Sequence, residues 1–158
     1  MKVQREVEAM DGISDNQLKY ENYGEQMRRL KSAIHSGFFL EAIFIEYAII
    51  EDRLESALRH AGAFSPEKQR TITAKLNKLS KLCEAKKGLA RKYFTPELIA
   101  AVRQWKGRRN PLVHELMRQR VSTEELEAFA LEGESLVRTL KSKVGSFNRA
   151  VEYETTAK

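Results

Sequence analysis

The residues whose types and spacing best suit chemistry are Arg109-Asn110-Pro111-Leu112-Val113-His114. An asparagine followed by proline is a good helix opening. The asparagine side chain accepts a free N–H of the first turn, and a proline at the first helical position loses no needed donor. On this reading Asn110 is the cap, Pro111 opens a helix, His114 sits one turn in, and Arg109 lies just outside. Such an end carries free N–H groups and the positive pole of the helix dipole, which together attract a phosphate. An imidazole that moves a proton and a guanidinium that neutralises phosphorane charge would complete what phosphodiester cleavage needs. The predicted catalytic residues are therefore Arg109, Asn110 and His114. Arg103, Lys106, Arg108, Arg118 and Arg120 stand around them and are predicted to contact nucleic acid. Arg29 also precedes His35, but inside an amphipathic segment with no cap and no polar residue after the arginine.

Charge points the same way. Residues 1–67 hold 8 Lys/Arg against 12 Asp/Glu, residues 68–120 hold 15 against 3, and residues 121–158 hold 5 against 7. A block of net charge +12 between blocks of −4 and −2 suits an anionic partner that meets one part of the fold. For Lys75, Lys78 and Lys81 a solvated helix face explains the run equally well. Cys83 is the single cysteine, so no internal disulfide forms, and with no Cys or His neighbour no metal or cofactor site is expected. Lysines around Cys83 favour a thiolate, but no base stands nearby. Met1 to Gly12 mixes acids and bases and resembles no signal peptide. The most apolar stretch, Phe38 to Ile50, is interrupted by Glu41 and Glu46 and is too short to span a bilayer. The expected setting is the cytoplasm.

The elements that must position the motif are helices. Gly and Pro are scarce at 8 and 3 of 158 residues, and helix formers dominate, which predicts an all-α fold: an up-and-down bundle of four to five helices. Residues 1–14 form an N-terminal arm, 15–148 a single helical domain, and 149–158 a frayed C-terminal tail. The spacing predicts helices from about 15 to 35, from Phe38 to Ala61 closed by Gly62, from 66 to about 86, and from 96 to about 106 ended by Gly107. A short segment over 111–120 and a long helix from 123 to about 147 complete the set. Ser65-Pro66, Thr95-Pro96 and Asn110-Pro111 mark three of the starts, and Ser122 with Glu125 has capping-box spacing. The helix over 38–61 is apolar almost all round, as a central helix or one buried in a second interface must be. Within it Glu46 is flanked by Ala42, Ile43, Ile49 and Ile50, so a buried carboxylate is expected. It either orients Arg109 or His114, forms a structural ion pair, or reaches water at an edge. Trp105 and Tyr93 are expected in the core.

Arg-Asn-x-x-x-His resembles the signature of HEPN domains: an arginine, a polar residue that is often asparagine, and a histidine after four to six intervening positions. The resemblance covers roughly residues 30 to 147 and includes the long apolar helix and the late position of the motif in a helical bundle. It implies a metal-independent RNA endonuclease in which two protomers bring their motifs into one composite cleft. Arg109 would bind and stabilise the phosphate, and His114 would be general acid/base for attack by the neighbouring ribose 2′-hydroxyl, leaving a cyclic phosphate. Asn110 would hold the geometry. Such proteins are commonly toxins or phage-defence effectors, often restrained by an antitoxin-like nucleotidyltransferase partner. In a subgroup silenced by modification of a tyrosine, that residue lies two positions after the histidine; here Leu116 stands there.

Three functions follow from these features. The first is an RNA-cleaving homodimer. The second is a non-catalytic helical module that uses the 68–120 basic surface to hold RNA or an acidic protein. The third is a structural partner that dimerises through the apolar helix over 38–58.

Overall fold

A computed structural model describes residues 15–158, and the predicted arm over 1–14 lies outside them. Among the described residues the fold is all-α, with six helices in a bundle: α1 (Asp15–His35), α2 (Phe39–His60), α3 (Ile72–Glu84), α4 (Ala90–Tyr93), α5 (Pro96–Met117) and α6 (Thr123–Thr156). None of them is long and apolar enough to cross a membrane.

The apolar helix is central. α2 packs along α6 over much of its length and also against α1 and α3. Its Ile43, Ile50, Leu54 and Leu58 are fully buried with Leu30 of α1, Leu76 and Leu79 of α3, and Val137, Leu140 and Val144 of α6. Burying such side chains is worth about 1.5–3 kcal/mol each, which makes α2 the main source of the bundle's cohesion. Gly37 and Gly62, both with positive φ, close α1 and α2 where a side chain would be strained.

Two predicted starts are as expected. Thr95 caps α5 by accepting from the Leu98 N–H at 3.2 Å, with Pro96 in the first turn. Ser122 and Glu125 form a reciprocal capping box on α6.

Four boundaries differ. Ser65-Pro66 opens a turn rather than a helix, because the Ser65 carbonyl accepts from Lys68 and Gln69 and its N–H donates to the Gln69 side chain at 2.6 Å. α3 starts at Ile72, where Thr71 caps the Ala74 N–H and Ile72, Leu76 and Leu79 fall on the buried face. Gly107 does not end a helix and Pro111 does not open one; both lie inside α5. A proline there leaves the Gly107 carbonyl without its helical donor, but Gly107 is exposed and water can serve it. The tail predicted to fray is helical to Thr156. Phe147 is buried in edge-on contact with Phe94, Asn148 bonds Ser56, and Glu152 meets His60 of α2.

Gly133 marks the closest approach of three helices. A Cβ built on it would lie 2.0 Å from Glu46 Oε2 of α2 and 2.8 Å from Trp105 Cζ2 of α5. Gly133→Ala is expected to lower stability by about 1–3 kcal/mol, the usual cost of overpacking. Gly145→Ala on the same helix, where the nearest atom is 3.5 Å away, is expected to raise stability slightly. Urea unfolding of the pair checks this; equal effects would mean the three-helix junction yields freely.

Candidate functional site

The motif occupies the C-terminal half of one continuous helix. Asn110 is therefore no N-cap, and the segment has neither the free N–H groups nor the positive dipole pole expected of a helix start. His114 lies in the last turn of α5, where the dipole's negative pole is. The phosphate-attracting helix start anticipated from Asn110-Pro111 is absent. Any anion binding here must come from side chains.

Continuity of α5 also sets directions. Five helical positions separate Arg109 from His114, which is about 140° around the axis, so the two leave the helix on different sides. Arg109 faces α2. Its guanidinium carbon lies 4.2 Å from the Tyr47 ring centroid and 4.8 Å from that of Phe44. Its Nη1 donates to Asn110 Oδ1 at 3.1 Å, while its buried Nε finds no acceptor among the described residues. No carboxylate of a described residue pairs with it, in contrast to Arg108, which pairs with Glu132 of α6. His114 is exposed and sits four positions after Asn110, on the same stripe as Arg103, Lys106 and Asn110.

The residues predicted to hold nucleic acid divide. Arg103 makes no ion pair with a described residue, and Lys106 donates to Thr73 of α3 at 2.7 Å. Arg108 also lies over the Phe129 ring. Arg118 and Arg120 converge on Glu115 at 3.4 and 3.7 Å. Three of the five are thus partly neutralised. Lys75, grouped with the surface lysines by sequence, is buried and paired with Glu51 at 3.0 Å and Glu55 at 3.8 Å.

Glu46 is fully buried, as its neighbours require, yet both carboxyl oxygens lack a hydrogen-bond partner. It bonds neither Arg109 nor His114 and forms no ion pair with a described residue. It lies against Gly133 and Trp105, and the Trp105 ring is stacked on Phe129 at 5.0 Å. Burial, with the nearby Glu134 adding to it, pushes its pKa from 4.5 up to about 9, so the side chain is held as a neutral acid.

Trp105 belongs to the core, as expected, and Tyr93 packs half-buried against it. The Cys83 thiol donates to the Phe94 carbonyl at 3.5 Å, and burial, reinforced by Glu84, pushes its pKa up, overriding the surrounding lysines. Phe44 and Tyr47 are the participants that sequence did not single out. The signal was the excess of large apolar residues around α2, more than its core face needs.

No protein-family model, curated protein or solved structure matches the chain.

Proposed function

We propose that the protein is a metal-independent RNA endonuclease of the HEPN type, a toxin or phage-defence effector of the cytoplasm that acts as a homodimer. The observation that carries the reading is the state of Arg109: a half-buried guanidinium held on Phe44, Tyr47 and Asn110 without a carboxylate partner, five positions before an exposed histidine. A cation immobilised and left uncompensated is suited to an anion that arrives from outside. Because Arg109 and His114 leave α5 on different sides, the cleft takes Arg109 from one protomer and His114 from the other. Exposed Phe44 beside Arg109 and exposed Met117 beside His114 supply apolar surface for that contact.

In the cleft His114 takes the proton of a ribose 2′-hydroxyl, whose oxygen attacks the adjacent phosphorus. Arg109 neutralises the phosphorane, and the 5′-oxygen departs with a proton given back by the His114 imidazolium, which restores the neutral ring. The products are a cyclic phosphate end and a free 5′-hydroxyl end, and no water is consumed. By resemblance, a nucleotidyltransferase partner would restrain this activity.

The alternative is a non-catalytic module holding RNA or an acidic protein on the 68–120 surface, and the divergence of Arg109 and His114 within one protomer favours it. Incubating a mixed RNA pool with purified protein in excess EDTA decides. Fragments ending in cyclic phosphate support the nuclease; intact RNA retained at low salt and released by salt supports the module.

A further inference from the structure

The second half of α5 is lightly anchored and stands over a cavity. The buried residues of α5 are Ile99, Val102 and Trp105, all before Gly107, and beyond it Leu112 packs half-buried against the core. A cavity of about 580 Å³ opens between that half, the connection over 118–122 and the first turns of α6. Its wall is apolar: Pro111 and Leu112 from α5, Val121 from the connection and Ala128 from α6, with buried Phe129 at the base. The charged side chains around it already have partners. Arg108 pairs with Glu132, Arg120 with Glu115, and Glu125 accepts from the Ser122 N–H. One acceptor is left over among these residues. Pro111 has no N–H, so the Gly107 carbonyl lacks its helical donor, and both residues line the cavity. A helical carbonyl points along the axis toward the residue four ahead, which puts this acceptor on the cavity wall.

We propose that this cavity binds an uncharged aromatic molecule carrying one N–H or O–H donor. A charged ligand would have to break an ion pair at the rim to find a counter-charge, so the site selects a neutral one. A slot between two helices, with the Pro111 ring on its wall and the Phe129 ring at its base, suits a flat ring. The donor goes to the Gly107 carbonyl, which supplies orientation as the few polar groups of an apolar pocket do. The volume lies within the range of pockets that enclose a small organic ligand. The site requires no cleavage activity. Its occupant touches α5 and α6 at once, so it braces the half of α5 that carries His114 against bending at Gly107 and Pro111.

The test titrates the full chain with indole, and with benzofuran as the isostere that lacks the donor, by ligand-detected NMR. Saturable indole binding is expected, with a dissociation constant on the order of 0.1–1 mM, ordinary for so small a molecule. Benzofuran should bind about threefold to tenfold more weakly, the net worth of one hydrogen bond. Pro111→Ala returns an N–H to the helix and satisfies the Gly107 carbonyl, and it favours the fold because alanine is the better helix residue. In that variant the preference for indole over benzofuran should vanish. Ala128→Trp, at an exposed position, fills the cavity and should abolish binding of both. Bound indole should also slow amide exchange over residues 112–117. The proposal is overturned by absence of saturable indole binding up to its solubility limit, or by equal affinity for benzofuran. A preference that Pro111→Ala keeps, or binding that Ala128→Trp retains, overturns it as well. None of these results bears on cleavage, which is read separately in EDTA.

Discussion

Replacing Glu46 with glutamine is expected to stabilise the protein at pH 8 and to flatten its dependence of stability on pH. Glu46 is fully inaccessible, its oxygens are unpartnered, and its pKa is raised to about 9. The folded protein therefore keeps a proton that the unfolded chain releases above about 4.5, the ordinary value. Unfolding between these limits sheds a proton, so each unit of rising pH favours the unfolded state by about 1.4 kcal/mol. The contribution of the neutral acid is complete below pH 4.5 and is lost progressively up to about 9. From pH 5 to pH 8 the loss is on the order of 4 kcal/mol, a large share of a domain's net stability. Glutamine has the shape of the neutral acid and cannot ionise. Every other titrating group is common to both proteins and cancels in their difference. Urea unfolding at four pH values between 5 and 8 should give a difference that grows with pH in favour of Glu46→Gln. Parallel curves would mean that a counter-ion or water reaches the carboxylate and that the junction with Gly133 and Trp105 opens to admit it.

Local signals in the sequence hold where local chemistry decides. Thr95-Pro96 and the Ser122–Glu125 box depend on side chains three positions from the groups they satisfy, and both operate as written. Gly107 and Pro111 are local signals too, worth about 1 and 3 kcal/mol against a helix. They lose because Trp105, buried against Phe129, anchors α5 before them and Leu112 packs against the core after them. The same competition moved the start of α3 from Pro66 to Ile72, where the buried face begins. Burial of Glu46 was legible from four apolar neighbours on its own helix. Its want of a partner was not, because that depends on Gly133 of a helix far along the chain. Likewise Arg109 and His114 were visible as a pair. Whether they share a face depends on α5 being one helix, and the seat of Arg109 depends on Phe44 and Tyr47 of α2.

Those directions lead to the second large effect. On the nuclease reading, His114→Ala should lower RNA cleavage by about 10²–10⁴-fold, the usual worth of a general acid/base, without changing the unfolding midpoint. The histidine is exposed and makes no hydrogen bond with a described residue, so nothing in the fold depends on it. Arg109→Ala should abolish cleavage comparably and also cost about 1–2 kcal/mol of stability, since two cation–π contacts go with it. Arg109→Lys should rescue stability in part and activity little, because an ammonium lacks the planar fork that meets a phosphate. Mixing the two inactive alanine variants separates a composite cleft from one built within a protomer. A heterodimer retains the arginine of one chain and the histidine of the other. With random exchange, activity should return to on the order of a quarter of the unmodified protein's. Recovery on mixing is the result that only a shared cleft produces. If each variant is inactive and the mixture stays inactive after exchange is verified, Arg109 and His114 act from the same chain, and α5 must bend at Gly107 or Pro111 to bring them onto one phosphate. If His114→Ala cleaves as well as the unmodified protein, the histidine has no part in the chemistry and Arg109 is an anchor in a binding surface.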